Sequence, residues 1–172
     1  MMTDSQCESV IHSTMTLYFQ QTPIGKLGIA EHEGKITDVY FADETIPQGV
    51  DIAETALINE AFSQLNAYFT GQLTEFTLPL APRGTAFQQS VWHALCAVPH
   101  ASTASYKDIA LAIGNPKAVR AVGQANNKNP IPIFIPCHRI IGSNGKMVGY
   151  SGGLEIKAFL LALERRAVLV SS

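Results

Sequence analysis

The chain opens with short runs in which apolar and polar residues alternate, the pattern of half-buried strands. Met15 to Phe19, Lys26 to Glu31 and Ile36 to Phe41 carry it, and turn signals at Thr22-Pro23-Ile24-Gly25 and Glu33-Gly34-Lys35 separate them. The period then lengthens. Between Asp51 and Thr70, Ile52, Ala56, Leu57, Ala61, Leu65, Tyr68 and Phe69 fall on one helical face, with Asp51 placed to cap the start and Gly71 the end. Leu73 to Leu80 reads as a further strand. Ala81-Pro82-Arg83-Gly84 is a linker, which divides the chain into an α+β domain over 1–82 and a second domain over 83–172.

The second half has helical periodicity from its start. Thr85 with Gln88 three residues on is a capping-box pattern, and the helix it opens runs to about Val98, before Pro99. Phe87, Val91 and Leu95 share a face with Trp92 and Cys96 beside it, so Cys96 reads as core. Ser105 with Asp108 opens a helix over Tyr106 to Ile113 that Gly114 closes. Asn115-Pro116 opens another, carrying Lys117, Val119, Arg120 and Val122; two short helices with a tight turn between them form a helix-turn-helix pattern. Ile131 to Ile135 and Arg139 to Ile141 read as short strands. Ser143-Asn144-Gly145 turns the chain toward Lys146 to Tyr150, a wing-like hairpin, and Leu154 to Glu164 is a last amphipathic helix. Met1 to Ser13 is polar and reads as a frayed end. The fold class is therefore α+β in two parts.

Composition removes several classes of function. Of 172 residues 47% are hydrophobic and 15% charged, which excludes a disordered chain, and no apolar run reaches the roughly 20 residues of a membrane helix. No secretory signal is visible at the N-terminus, and three sparse cysteines, Cys7, Cys96 and Cys137, suit a reducing compartment; the expected location is cytoplasmic, with nucleoid association in a prokaryote. The net charge of −2 hides an asymmetry. Up to Pro82 there are 2 basic residues against 11 acidic, and from Arg83 there are 10 against 3. A basic half on an acidic protein points to a polyanion such as nucleic acid.

Chemistry concentrates at Ile135-Pro136-Cys137-His138-Arg139, where a thiol sits beside an imidazole and a guanidinium. A thiol is a nucleophile only as thiolate, and a neighbouring base or positive charge makes the thiolate available. On an extended chain adjacent residues point to opposite faces, so His138 would reach Cys137 through a water or around a bend. His93, Cys96 and His100 have near-helical spacing, but Pro99 interrupts it and no fourth ligand is evident, so no metal is expected.

The segment Asn129-Pro130-Ile131-Pro132-Ile133-Phe134-Ile135-Pro136-Cys137-His138-Arg139-Ile140-Ile141-Gly142 resembles the active-site signature of the O6-alkylguanine-DNA alkyltransferases, the methylated-DNA–protein-cysteine methyltransferases. The resemblance runs from about Thr85 to Glu164 and takes in Ser105-Tyr106, Gly114-Asn115-Pro116, Arg120-Ala121-Val122-Gly123, Tyr150-Ser151-Gly152-Gly153 and Lys157. It implies a ribonuclease-H-like first domain and a winged-helix second domain that binds DNA and holds the active site. It further implies that Cys137 accepts the alkyl group once and irreversibly, that His138 takes its proton through water, and that Glu164 orients His138. Tyr106 would donate toward the departing guanine and Asn129 would be a structural hinge. Arg120 would fill the gap left by a flipped base, with Lys117, Ala121, Gly123 and Lys128 on the same DNA-facing element. Tyr150, Ser151 and Gly152 would line the guanine pocket.

The implied partner is double-stranded DNA carrying O6-alkylguanine, with O4-alkylthymine a second candidate lesion; no cofactor, no membrane and a monomer are implied. Leu163-Glu164-Arg165 departs from the family's common His-Glu-Gly, and Asn126-Asn127-Lys128 is more polar than in many relatives. A non-catalytic lesion-binding relative would lack the acceptor cysteine, and a redox sensor would need a resolving cysteine nearby.

Overall fold

The computed structural model describes residues 15–171, with side chains as far as 167. The polar stretch over 1–13 and Cys7 lie outside the described residues. The first part is a four-stranded sheet with one helix across it. Strands β1 (Thr16–Thr22), β2 (Gly25–His32) and β3 (Lys35–Phe41) form a meander of two antiparallel hairpins. The predicted turns stand where polar and glycine residues bring them, with Glu33 and Gly34 both at positive φ. Central β2 is buried on four consecutive residues, Leu27 to Ala30. Helix α1 (Ala56–Phe69) covers the sheet with Ile58, Ala61, Phe62, Leu65 and Tyr68.

Two expectations for this half are corrected. The helix does not begin at Asp51. Asp51 and Ile52 form β4, paired in parallel with Thr16 and Leu17, where they satisfy backbone groups that β1 would otherwise leave open. Thr55 is the cap instead: its hydroxyl accepts from Ile58 N at 3.1 Å and donates to Glu31 Oε2 at 2.6 Å. Leu73 to Leu80 is not a strand but makes a single bridge to Ile36. Pro79 has no N–H to donate, and Gln64 of α1 holds Thr77 through both its backbone N–H and its hydroxyl.

In the second part the capping boxes at Thr85/Gln88 and Ser105/Asp108 both form, opening α2 (Ala86–Cys96) and α3 (Tyr106–Ala112). Gly114 closes α3 at positive φ. Asn115 and Pro116 do not start the next helix. Asn115 O accepts from Ala118 N at 3.0 Å, so these residues are the turn itself, and α4 (Val119–Asn127) begins later. The indole of Trp92 ties α2 to α4 by donating to Ala125 O at 2.9 Å. Cys96, expected in the core, is exposed at the end of α2.

The segment before the cysteine is also corrected. Residues 131–135 form a buried turn in which Ile135 N donates to Ile131 O at 2.9 Å and Ile133 takes φ 76°. Pro130, Pro132 and Pro136 deny this stretch the donors of a ladder. Asn129 supplies what is lacking: its Nδ2 donates to Ile135 O at 2.8 Å and its Oδ1 accepts from Ile131 N at 3.0 Å. Of the predicted wing, the turn is present, with Gly142 N bonded to Lys146 O at 2.8 Å, but Lys146 to Tyr150 is not a strand. Strand β6 (Ile140–Ile141) pairs in parallel with β5 (Ala104–Ser105) instead. Helix α5 (Leu154–Ser171) continues beyond the predicted end at Glu164. Among the described residues no helix is long and apolar enough to cross a membrane.

Asn129→Ala removes the partners of two buried backbone groups at once. The expected loss is about 2–4 kcal/mol of folding stability, read from urea unfolding. A loss below about 1 kcal/mol would mean that Asn129 does not hold this turn.

Candidate active site

Cys137, His138 and Arg139 form one turn of 3-10 helix and all three are buried. This replaces the extended strand expected there. At three residues per turn, successive side chains leave the axis about 120° apart, and those of His138 and Arg139 converge on Glu164 rather than on the thiol. Arg139 therefore does not activate the thiol. Its Nη1 donates to Val98 O at 2.8 Å, and its Nε and Nη2 donate to Glu164 at 2.9 and 3.1 Å.

Glu164 is fully buried on α5. Oε2 meets His138 Nε2 at 2.6 Å and accepts from the Tyr68 hydroxyl at 2.5 Å, while Oε1 also accepts from Ala101 N at 3.1 Å. Burial alone would push the carboxyl up. Hydrogen bonds from His138, Arg139 and Tyr68 outweigh it and hold Glu164 well below the usual carboxylate range. Burial pushes His138 down, against the pull of Glu164, so the ring is neutral. With the proton on Nε2 facing Glu164, Nδ1 is the basic nitrogen. It is buried and meets no hydrogen-bond partner among the described residues.

Cys137 is only 3% exposed, and burial pushes its thiol up to about 11 against a hydrogen bond with the Asn129 side chain and the charge of Lys157. Lys157 is itself fully buried; its Nζ donates to Ile140 O at 2.5 Å and to Val148 O at 2.9 Å. The Val148 carbonyl also accepts from the Tyr106 hydroxyl at 3.1 Å. Tyr106 thus stands at the mouth of the site, with Gly123 of α4 against its ring: a Cβ there would come within 3.8 Å.

Tyr150 packs edge-on to Phe41 with ring centroids 5.9 Å apart, and its hydroxyl is buried with no partner among the described residues. Gly152 lies against the same ring, where a Cβ would be 2.8 Å from Phe41. Ser151 is exposed beside a cleft of about 260 Å³ that Asp38, Tyr40, Glu44 and Lys128 also line.

The fold thus brings Cys137, His138, Glu164, Asn129, Tyr106, Tyr150 and Gly152 around one centre. Lys117, Arg120, Ala121 and Lys128 lie apart from it, exposed on and around α4. Of the ten basic residues after Pro82, Arg139 and Lys157 are interior and the other eight are exposed. His93 borders a different surface groove from Cys96 and His100, and among the described residues no three His, Cys, Asp or Glu side chains gather to hold a metal.

Sequence reasoning gave no role to Lys157 or Tyr68. A signal existed for the first: Lys157 and Glu164 are seven residues apart on a largely apolar helix, which sets two charges on one face. For Tyr68, a hydroxyl on the apolar face of α1 needs a buried partner, but nothing in the sequence names it.

Comparison with known proteins identifies both halves of the chain. Residues 86–166 match the family description "6-O-methylguanine DNA methyltransferase, DNA binding domain", and residues 13–82 match its ribonuclease-like domain. The chain is 50% identical over 152 residues to the constitutive methylated-DNA–protein-cysteine methyltransferase of Bacillus subtilis, covering 84% of this chain and 92% of that one. It is 51% identical over 147 residues to the protein of that name from Methanosarcina barkeri, covering 84% and 93%. Among solved structures it is similar to Mycobacterium tuberculosis OGT in complex with DNA, with a TM-score of 0.85, 45% identity, and coverage of 88% of this chain and 94% of that one.

The neutral, buried His138 makes stability depend on pH. Its folded value lies below the ordinary value of about 6.5, so as pH falls through 6.5 the unfolded chain binds the proton first and the folded state loses ground. Glu164 acts lower: its contribution is complete above about 4.3 and fades below it. Urea midpoints should therefore fall between about pH 6.5 and 5, and His138→Gln should flatten the slope, with His100 retaining part of it. The same slope in both proteins would mean that His138 is not held neutral.

Proposed function

We propose a mechanism from the premise that this chain belongs to the 6-O-methylguanine DNA methyltransferase family. Its reaction is DNA repair by transfer of an alkyl group from O6-alkylguanine in DNA to a protein cysteine. The observation that carries the assignment within the chain is the setting of Cys137. It is buried and followed directly by a neutral histidine that a fully buried carboxylate orients, whereas Cys96 is exposed at the end of α2.

Displacement at a saturated carbon needs a soft nucleophile and a leaving group that can hold the electrons. The Cys137 proton passes to His138 Nδ1 through an intervening water, and Glu164 stabilises the imidazolium that forms. The Sγ–C bond forms as the C–O6 bond breaks, and the electron pair goes to the guanine. Tyr106 supplies a proton to the departing base. To do so its hydroxyl must leave the Val148 carbonyl, which keeps Lys157 as a donor. Asn129 fixes the turn that carries Cys137. Tyr150, Ser151 and Gly152 line the guanine pocket, where the missing Cβ of Gly152 leaves room against Phe41. No cofactor enters, since the group moves from DNA to protein.

The partner is double-stranded DNA, and the Mycobacterium tuberculosis relative was solved in complex with DNA. The reactive carbon lies inside the stack, so the nucleotide is flipped at a cost of a few kcal/mol. Arg120 occupies the gap, with Lys117, Ala121, Gly123 and Lys128 completing the contact of α4 with the backbone. O4-alkylthymine offers the same alkyl–oxygen bond and is a second substrate. The domains are 1–82 and 83–172, and the protein acts as a cytoplasmic monomer, nucleoid-associated in a prokaryote.

A thioether on Cys137 has no route to cleavage, so repair is stoichiometric. Mixing with duplex DNA containing O6-methylguanine should add one methyl group per protein, on the peptide containing Cys137, and then stop. Cys137→Ala should bind DNA without reacting. Turnover beyond one equivalent would contradict the mechanism.

Arg120→Ala should slow repair of duplex DNA at least about tenfold while leaving reaction with free O6-benzylguanine near normal, because only the duplex has a stack to hold open. Equal losses on both substrates would remove this role from Arg120.

A further inference from the structure

Tyr68 belongs to α1, in the first part of the chain, and is 1% exposed. Its hydroxyl donates to Glu164 Oε2 at 2.5 Å, and His138 Nε2 meets the same oxygen at 2.6 Å. Arg139 Nη2 also donates to this oxygen, at 3.1 Å, so three donors share it, while Ala101 N and the Arg139 Nε donate to the other. The ring is fixed by edge contacts with Phe69 and His100, at centroid distances of 5.7 and 6.2 Å, and by Phe76 at 5.3 Å. All the other donors to Glu164 lie after residue 97. Tyr68 is the contribution of the first domain to the hydrogen-bonded cluster of Glu164 and His138.

We propose that Tyr68 is a positioning residue for alkyl transfer: its hydroxyl holds Glu164 Oε2 on His138 Nε2 and sets how strongly His138 accepts the proton of Cys137. The inference rests on the reading of Cys137 as acceptor and His138 as its base. A carboxylate oxygen that already accepts a hydroxyl has less electron density for the imidazole N–H. The donor therefore limits how far Glu164 raises the basicity of His138, and it stops the carboxylate from turning away. Arg139 is a fixed charge on both oxygens, and the charge of Lys157 reaches both His138 and Cys137. Tyr150 is buried and neutral. His100 feels the charge of Glu164, and burial pushes it down as it does His138.

The test is the pH dependence of benzyl transfer from free O6-benzylguanine, measured in a His100→Gln background so that only His138 titrates against Glu164. The rising limb reports the base in the free protein. Tyr68→Phe frees Glu164 to pull harder on Nε2–H, so the limb should move to higher pH by about half a unit or more, with a plateau rate lower by about tenfold. Replacing Tyr68 by 3-fluorotyrosine keeps the shape and strengthens the donor, so the limb should move the other way; this variant also covers the case in which Tyr68→Phe does not fold. Phe76→Leu loosens the packing around the ring but keeps the hydroxyl, and should lower the melting temperature without moving the limb.

An unmoved limb in both Tyr68 variants, with benzyl on Cys137, overturns this inference alone. A limb moved as far by Phe76→Leu as by Tyr68→Phe also overturns it, since packing would then be the cause. Benzyl found on a residue other than Cys137 overturns the reading of the site and the inference together.

Discussion

A carboxylate taken wholly out of water is the constraint around which the rest of the molecule is arranged. Stripped of solvent, Glu164 is tolerable only with donors on both oxygens. It finds them on Tyr68 of α1, on the backbone of Ala101, on His138 and on Arg139. Four segments distant in sequence must therefore meet at one point. The sheet-and-helix part places Tyr68, the loop after α2 places Ala101, and the proline-rich turn delivers the 3-10 turn of residues 137–139. The two halves of the chain share this centre, so neither is merely a carrier for the other.

The same burial explains how a nucleophile is kept safe. A thiol pushed up to about 11 is not ionised at rest, and a protonated thiol reacts slowly with stray electrophiles. In the proposed mechanism reactivity arises only through the proton path to His138, whose unpartnered nitrogen is buried and whose other nitrogen is engaged by Glu164. Positive charge nearby is spent elsewhere: Arg139 neutralises Glu164 rather than the sulfur, and Lys157 holds the carbonyls of Ile140 and Val148.

Much of this was legible in the residues. The hairpins of β1 to β3, both capping boxes, the glycine stop after α3 and the helix-turn-helix followed from local patterns that the tertiary structure does not oppose. Cys137, His138 and Glu164 were legible as a set, through the resemblance carried by the Pro136-Cys137-His138-Arg139 segment. Most of the failures trace to hydrogen bonds that no local pattern announces. Asp51 and Ile52 join β1 because that edge has open backbone groups. Residues 131–135 turn because Asn129 satisfies a backbone that prolines have stripped of donors. The segment Lys146 to Tyr150 forms no second wing strand, and β6 pairs with β5 instead. Tyr68 was seen only as an apolar position, since its partner lies 96 residues away.

The central claim is that Cys137 rests as a neutral thiol and is activated only through the His138–Glu164 pair. The direct measurement is a pH titration of ultraviolet thiolate absorbance, taken as the difference between the wild-type protein and Cys137→Ala. The account predicts no thiolate signal from Cys137 at neutral pH, with ionisation appearing only well into the alkaline range, toward about 11. A Cys137 thiolate already formed at neutral pH would contradict it.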